Sequence, residues 1–250
     1  MNETKFNGMG KIYSAYRPSY PKELIDYIFV DDCVDKITAA DIGSGTGILT
    51  RLLLERGATV YAVEPNADMR KIAEDDLRGY KNFISINAAA EATTLGDKSV
   101  DIITVAQAFH WFDKNKFKTE CGRILKPDGK IFLIWNVRDE KNGAVRENDA
   151  VNKKYCPNYT GPSGGIDTKD ESETADFFNG GCVMKRFRND LTYDEQNFIG
   201  RSLSSSYALK ENDAGYLAYV AELKNIFDKY SVNGRVIIPN EARCFAGSFI

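Results

Sequence analysis

The chain has one histidine in 250 residues, His110. A single imidazole cannot supply the histidine clusters that catalytic zinc and most transition-metal sites use, so no metal is expected. The five cysteines, Cys33, Cys121, Cys156, Cys182 and Cys244, fit the spacing of neither a zinc site nor a redox pair. An odd number without a framework suits a reducing compartment, and a cytoplasmic protein is expected. No apolar run approaches the ~20 residues needed to cross a bilayer, so no membrane partner is expected. Residues 1–11 are polar and lack the apolar centre of a secretory signal. Positive charge is not in excess either: 33 basic and 36 acidic residues give a net charge of −3. Without a basic stripe, an extended nucleic-acid contact is not expected. What remains is a chain long enough for one sizeable α/β core.

Against these absences stands Asp41-Ile42-Gly43-Ser44-Gly45-Thr46-Gly47, directly after an apolar run and directly before a helical pattern. Glycines at alternate positions let the backbone turn tightly and approach a ligand without side chains in the way. Glu64 follows roughly 20 positions on, at the end of the next apolar run, where a carboxylate can accept hydrogen bonds from ribose hydroxyls. Together they describe a nucleoside site at the first crossover of a parallel sheet. The dinucleotide fingerprint is Gly-x-Gly-x-x-Gly. Here the third glycine comes one position early, and Ile48 stands where that fingerprint wants glycine. A helix starting at the loop favours a negative group at its N-terminus. Asp41 at the mouth would repel a pyrophosphate and suits an ammonium group instead. An NAD-type oxidoreductase therefore stays open as the alternative, disfavoured by spacing and charge.

Periodicity supplies the frame. Helices are predicted over 22–30, 48–56, 66–78 and 114–125, and strands over 37–42, 59–63, 83–86, 100–105 and 130–135. Strands alternating with helices predict right-handed crossovers and a doubly wound, mostly parallel sheet. Residues 138–181 are polar and contain Gly161-Pro162-Ser163-Gly164-Gly165. They read as an insertion over the carboxyl edge of the sheet, in the manner of a lid. A strand over 182–189 and helices over 196–207 and 213–230 follow. In the last, Leu217, Val220, Leu223, Ile226, Phe227 and Tyr230 are expected to form one core-facing stripe. Segments 235–238 and 243–249 would complete the sheet as a strand or hairpin. The organisation expected is one unit over 1–250: a cap (1–36), a ligand-binding core (37–136), the insertion (138–181) and a closing segment (182–250).

Further motifs occur in a fixed order: Tyr16-Arg17-Pro18-Ser19-Tyr20-Pro21, Asn87-Ala88-Ala89-Ala90-Glu91, Asp97-Lys98-Ser99-Val100-Asp101, Ala106-Gln107-Ala108-Phe109-His110-Trp111-Phe112-Asp113 and Arg123-Ile124-Leu125-Lys126-Pro127-Asp128-Gly129-Lys130. With the glycine loop, this series resembles class I S-adenosylmethionine-dependent methyltransferases of the small-molecule type. The opening Tyr-Arg-Pro segment resembles the trans-aconitate methyltransferase-like subgroup. The resemblance runs from Tyr16 to Trp135 and is weak beyond Asn136. It implies a seven-stranded Rossmann-like sheet, S-adenosylmethionine as methyl donor and S-adenosylhomocysteine as product. It also implies that Asp41, Gly43, Gly45 and Gly47 hold the methionine part and Glu64 the ribose. Pro65, Asn66 and Met69 would wall one side of the adenine, with Ala89, Ala90 and Glu91 on the other. Ala106 and Gln107 would form the floor beneath the sulfonium. His110 is a candidate base or, with Trp111, a packing pair that shapes the pocket. Tyr13, Tyr16, Arg17 and Tyr20 would close over a small-molecule acceptor, a carboxylate among the candidates, or merely order the N-terminus. A non-catalytic binder of the same donor fits the motifs as well.

Overall fold

Pro21 sets the entry of helix α1 (Lys22–Ile28), which buries Leu24, Ile25 and Ile28. The computed structural model describes residues 17–29, 37–161 and 172–248. Strand β1 (Thr38–Ile42) is buried along nearly its whole length, as a central parallel strand must be. Helix α2 (Ile48–Glu55) starts at the last glycine of the loop and buries Leu49, Thr50, Leu53 and Leu54. After β2 (Thr59–Val63), helix α3 (Ala67–Leu77) is capped by the Asn66 side chain, which accepts from the Met69 amide. Strands β3 (Phe83–Ile86) and β4 (Val100–Ala106), a 3-10 turn (Phe109–Trp111), helix α4 (Lys114–Ile124) and strand β5 (Leu125–Arg138) complete the alternating half.

The seven strands lie in the order β3-β2-β1-β4-β5-β9-β6, where β6 is Cys182–Arg188 and β9 is Asn240–Gly247. Strands β1 to β5 are parallel, and β9 runs antiparallel between β5 and β6. This is the mostly parallel, doubly wound sheet the alternation predicts. One face packs Phe109, Phe117, Phe177 and Phe245 over Ile103, Val105 and Leu133. The other packs α1, α2 and α3 through Leu24, Leu53 and Leu77 over Val60, Ile102 and Ile134.

Three expectations need correction. Residues 235–238 do not join the main sheet. Strand β8 (Val236–Ile238) pairs with β7 (Leu191–Tyr193) in a separate two-stranded ribbon. The polar stretch 138–181 is not simply a lid. Helix α5 (Gly143–Tyr155) lies within it, with Asn148 and Asn152 on its buried face. Asn148 donates to Ser202 on α7 (Glu195–Leu203), Asn152 donates to Asn148, and Tyr219 on α8 (Tyr216–Tyr230) donates to Asn152. A face buried through hydrogen bonds has no hydrophobic stripe to read. Helix α6 (Ser172–Phe177) then sends Phe177 into the main core, 5.0 Å from the Phe109 ring. The stripe expected on α8 holds at Leu223, Ile226 and Phe227 but not at its start, where Leu217 is 83% exposed and Tyr219 is fully buried instead. Leu217 falls in the first turn, while the Tyr219 ring fills the core and its hydroxyl finds Asn152, so the tyrosine holds the buried face.

Removing that hydroxyl tests the network. Tyr219→Phe leaves the buried Asn152 oxygen without its 2.8 Å donor. A cost of about 1–3 kcal/mol is expected in urea unfolding, with the slope unchanged. An unaltered midpoint would show that the bond carries no stability.

Candidate functional site

Strand order reverses between β1 and β4, and a ligand crevice opens outside the carboxyl ends of strands at such a point. The loop Gly43–Gly47 lies there. Its glycines all have positive φ, +69°, +58° and +81° at Gly43, Gly45 and Gly47. The amides of Gly43 and Ser44 donate to the Val63 carbonyl at 2.8 and 3.1 Å, tying the loop to the end of β2. A Cβ on Gly43 would come within 2.6 Å of the Ala108 Cβ, and one on Gly47 within 2.8 Å of Leu77 Cδ1. Those two glycines permit close packing of the β4 end and of α3. Gly45 differs: a Cβ there would meet nothing within 4 Å, so the middle of the loop faces open space.

Two carboxylates support the loop. Glu64 accepts from the Gly45 amide at 2.9 Å and from the Asn66 amide at 2.8 Å. Burial raises its pKa, opposed by those two amides and by the nearby Arg70 charge. Each oxygen retains lone-pair capacity for a further donor. Asp41 is 1% exposed. Its oxygens accept from Thr50 Oγ1 at 2.6 Å and Thr104 Oγ1 at 2.9 Å. The expectation of Asp41 at the mouth is therefore corrected: the carboxylate lies inside, joining β1, α2 and β4. Burial pushes its pKa up to about 6 against the hydroxyl bonds.

On the β2 side, Asn66 and Met69 are buried at the start of α3 and Pro65 is half-buried. Arg70 Nη1 donates to the Glu64 and Pro65 carbonyls at 2.8 and 3.1 Å and to Asn87 Oδ1 at 3.0 Å, joining the ends of β2 and β3. Ala89 bridges to Ala92 while Ala90 is buried, and Glu91 accepts from the Asp113 amide at 2.8 Å. Thus Glu91 braces the exit of the 3-10 turn. Ala106 ends β4. Gln107 holds a left-handed φ of +58°, its amide donating to Ile134 and its side chain to the Asn136 carbonyl. A non-glycine residue in that region is strained, and such strain gathers at functional sites. Buried Phe109 anchors the turn, leaving His110 and Trp111 half-buried with ring centroids 4.5 Å apart.

Arg17 Nη2 donates to the Ser204 carbonyl at 3.3 Å. Tyr20 is half-buried against the α1–α3 core. Tyr13 and Tyr16 lie outside the described residues. The main residues missed from sequence are Thr50, Thr104 and Arg70. Thr104 was the readable one, a polar residue inside the apolar run 102–105, but its partner depends on register: Asp41 lies opposite it across the β1–β4 pair. Among the described residues no group of three His, Cys, Asp or Glu side chains could hold a metal, and no helix is long and apolar enough to cross a membrane.

Comparison with known proteins agrees with this geometry. Residues 40–133 match the model of a methyltransferase domain family. An uncharacterized methyltransferase of Mycobacterium tuberculosis (strain ATCC 25618 / H37Rv) is 41% identical over 135 residues, 54% of this chain and 53% of that protein. The chain thus spans about half the length of the curated relatives it matches. Among solved structures, a candidate type II methyltransferase from Anaeromyxobacter dehalogenans superposes with a TM-score of 0.67 at 21% identity, over 94% of this chain and 99% of that one. A SAM dependent methyltransferase from Aquifex aeolicus gives 0.51 at 19%, over 71% and 89%. At these identities the structural likeness speaks for the fold.

Asp41 makes the site sensitive to pH. In the unfolded chain it ionises near 3.8, and in the folded chain near 6. Between those values the folded state keeps a proton that the unfolded chain has released, so Asp41's contribution to stability falls as pH rises. Asp41→Asn removes that dependence. The stability of wild type relative to Asp41→Asn should drop by up to about 1.4 kcal/mol per pH unit between pH 4 and 6. A difference that stays flat over this range would refute the raised pKa.

Proposed function

We propose that this chain, which over residues 40–133 belongs to the class I S-adenosylmethionine-dependent methyltransferases, binds that donor in the β1–β4 crevice and methylates a small molecule, with carboxylates the favoured acceptor class. The observation that carries the proposal is the pairing of Glu64 with the Gly45 amide at the open centre of the glycine loop. Ser44 Oγ and Thr46 Oγ1 in the same loop are buried without a hydrogen-bond partner among the described residues, polar capacity that a bound nucleoside amino acid could use. A pyrophosphate fits less well. The Gly45 amide that would cradle it is committed to Glu64, and two carboxylates lie under the loop.

When bound, S-adenosylmethionine supplies a methyl carbon already activated by positive sulfur. The chain's own part is to hold, orient and keep water out. Glu64 would accept from the ribose hydroxyls, with Pro65, Asn66 and Met69 on one side of the adenine and Ala89, Ala90 and Glu91 on the other. The backbone of Ala106 and Gln107 would form the floor. Asp41 acts from beneath, fixing the loop through Thr50 and Thr104. A carboxylate acceptor arrives ionised and needs no base, so His110 and Trp111 would then orient it. A phenol, amine or thiol would need His110 to take its proton. The likeness to the trans-aconitate-type opening motif and the lack of a basic stripe support a small anionic acceptor over nucleic acid. The same reading takes 1–250 as one catalytic unit working in the cytoplasm.

Calorimetry should detect S-adenosylhomocysteine but not NADH. Bonds to a charged acceptor contribute roughly 1.5–3 kcal/mol, so Glu64→Ala should weaken binding of that product roughly ten- to hundredfold. Tight NADH binding without S-adenosylhomocysteine binding would overturn the assignment, and unchanged affinity in the variant would move the ribose elsewhere. His110→Ala separates the two acceptor classes. With a carboxylic acid it should change KM without removing a pH-dependent limb of the rate. With a phenol or amine it should abolish the limb set by deprotonation of the general base. Wild-type kcat and KM across pH would leave His110 a packing residue.

A further inference from the structure

Strand β4 turns out of the sheet at Gln107. Up to that point it runs in register with β5, Val105 opposite Leu133 and Ala106 opposite Ile134. The Gln107 amide still donates to the Ile134 carbonyl at 2.9 Å. Its φ is +58°, a left-handed value that is unfavourable for a residue with a side chain and that a long one like glutamine seldom takes. Rungs of a parallel ladder are evenly spaced, so the next amide along β4 would come from residue 109 and meet the Asn136 carbonyl. By then the chain has left the sheet: residues 109–111 form the 3-10 turn, with the Trp111 amide on the Ala108 carbonyl at 2.9 Å. The Gln107 side chain supplies that rung instead, Nε2 donating to the Asn136 carbonyl at 3.3 Å. One residue both makes the strained exit and pins it.

The exit direction decides where the turn lies. On one side the turn presses on the glycine loop: a Cβ on Gly43 would stand 2.6 Å from the Ala108 Cβ and 3.2 Å from Phe112 Cζ. On the other, Phe109 is buried among the rings of Phe117, Trp135 and Phe177. His110 and Trp111 are carried between these contacts. Glycine would take the left-handed exit at no steric cost. A glutamine that takes it under strain has a task that backbone freedom does not cover.

The anchor is itself held from several elements. Asn136 Oδ1 accepts from Asn189 Nδ2 at 2.9 Å, just past β6, and from Asn240 Nδ2 at 3.2 Å, the first residue of β9. The Ser19 carbonyl accepts from Asn189 Nδ2 at 2.9 Å and from Asn136 Nδ2 at 3.5 Å. The segment ahead of α1, the ends of β5 and β6, the start of β9 and the exit of β4 thus meet on one asparagine.

We propose that Gln107 is a positioning residue for methyl transfer: its side-chain amide, clamped on the Asn136 carbonyl, fixes the exit of β4 and so sets the turn that carries His110 and Trp111 against the glycine loop. Asn136 is the other half of the clamp and ties it to the segment ahead of α1. The purpose of the clamp rests on the methyltransferase reading; its geometry does not. In-line transfer tolerates little misplacement of the groups around donor and acceptor, so a turn held at both ends serves it directly.

The test reads Trp111. Trp135→Phe leaves Trp111 as the one indole of the chain, and acrylamide quenching then reports how firmly the turn is held. In that parent, with no ligand, Gln107→Ala keeps the strain and loses the clamp, so quenching should rise about twofold and the melting temperature should fall. Gln107→Gly loses strain and clamp together. Its melting temperature should return to the parent value or above while quenching stays raised, because nothing then selects the left-handed exit. Gln107→Glu keeps the length but has no side-chain donor at about pH 8 and should follow the Ala variant. Asn136→Ala should raise quenching by a similar factor, and the double variant with Gln107→Ala no further, as two ends of one unit. A glutamine that merely stabilised the strand would lower melting and leave Trp111 as it was. Parent-like quenching in both Gln107→Ala and Gln107→Gly therefore overturns the clamp, and so do additive effects in the double variant. If Asn136→Ala does not fold, the Gln107 variants decide alone. Calorimetry of the parent with S-adenosylhomocysteine keeps the two readings apart. Binding without a quenching response sinks the clamp alone; a quenching response without binding sinks the donor reading and keeps the clamp.

Discussion

Asp41, one residue before the end of β1, lies under the glycine loop with one oxygen taken by Thr50 and the other by Thr104. Those hydroxyls come from the helix after the loop and from the neighbouring strand, so one buried carboxylate fixes three elements where strand order reverses. The loop above can then take left-handed turns at Gly43, Gly45 and Gly47 without collapsing into the crevice. Glu64 acts on the same loop from the β2 side, through the Gly45 amide. Burying two carboxylates this close is costly, and raised pKa values express that cost. A cationic ligand would ease it, whereas a phosphate would worsen it.

The glycine loop and Glu64 were legible because their chemistry is local. Alternate glycines, an acid at the next strand end and an apolar run before the loop need no knowledge of what lies across the sheet. Strands β2 and β3 were legible to the residue, since each is bounded by turn-forming residues and has a regular apolar pattern. Thr104 and Arg70 were not, because a threonine in a strand or an arginine on a helix gains its role only from register or from a neighbouring turn. Helix α5 was hidden for another reason: asparagines whose partners are Ser202 and Tyr219, far along the chain, form much of its buried face. Arg138 and Arg201 are common surface residues in sequence, and only the fold sets them against each other.

The two halves of the crevice differ in electrostatic character. The donor side is acidic, built on Asp41 and Glu64. The far side, beyond β5, is basic through Arg17, Arg138 and Arg201. That polarity arises from the ends of β1, β2 and β5, together with the segment before α1 and the last turn of α7.

Strand β9 lies between β5 and β6, antiparallel to both. During synthesis, β5 therefore emerges with an open edge that nothing nearby in sequence can cover. Leu133 must wait for Phe245, and Met184 must wait for the same residue. Until β9 arrives, a hydrophobic edge with free backbone amides is available to any passing strand, and closure is a long-range step made late. The alternating half β1–β5 thus stays an unfinished sheet until β9 acts as a latch that joins it to β6.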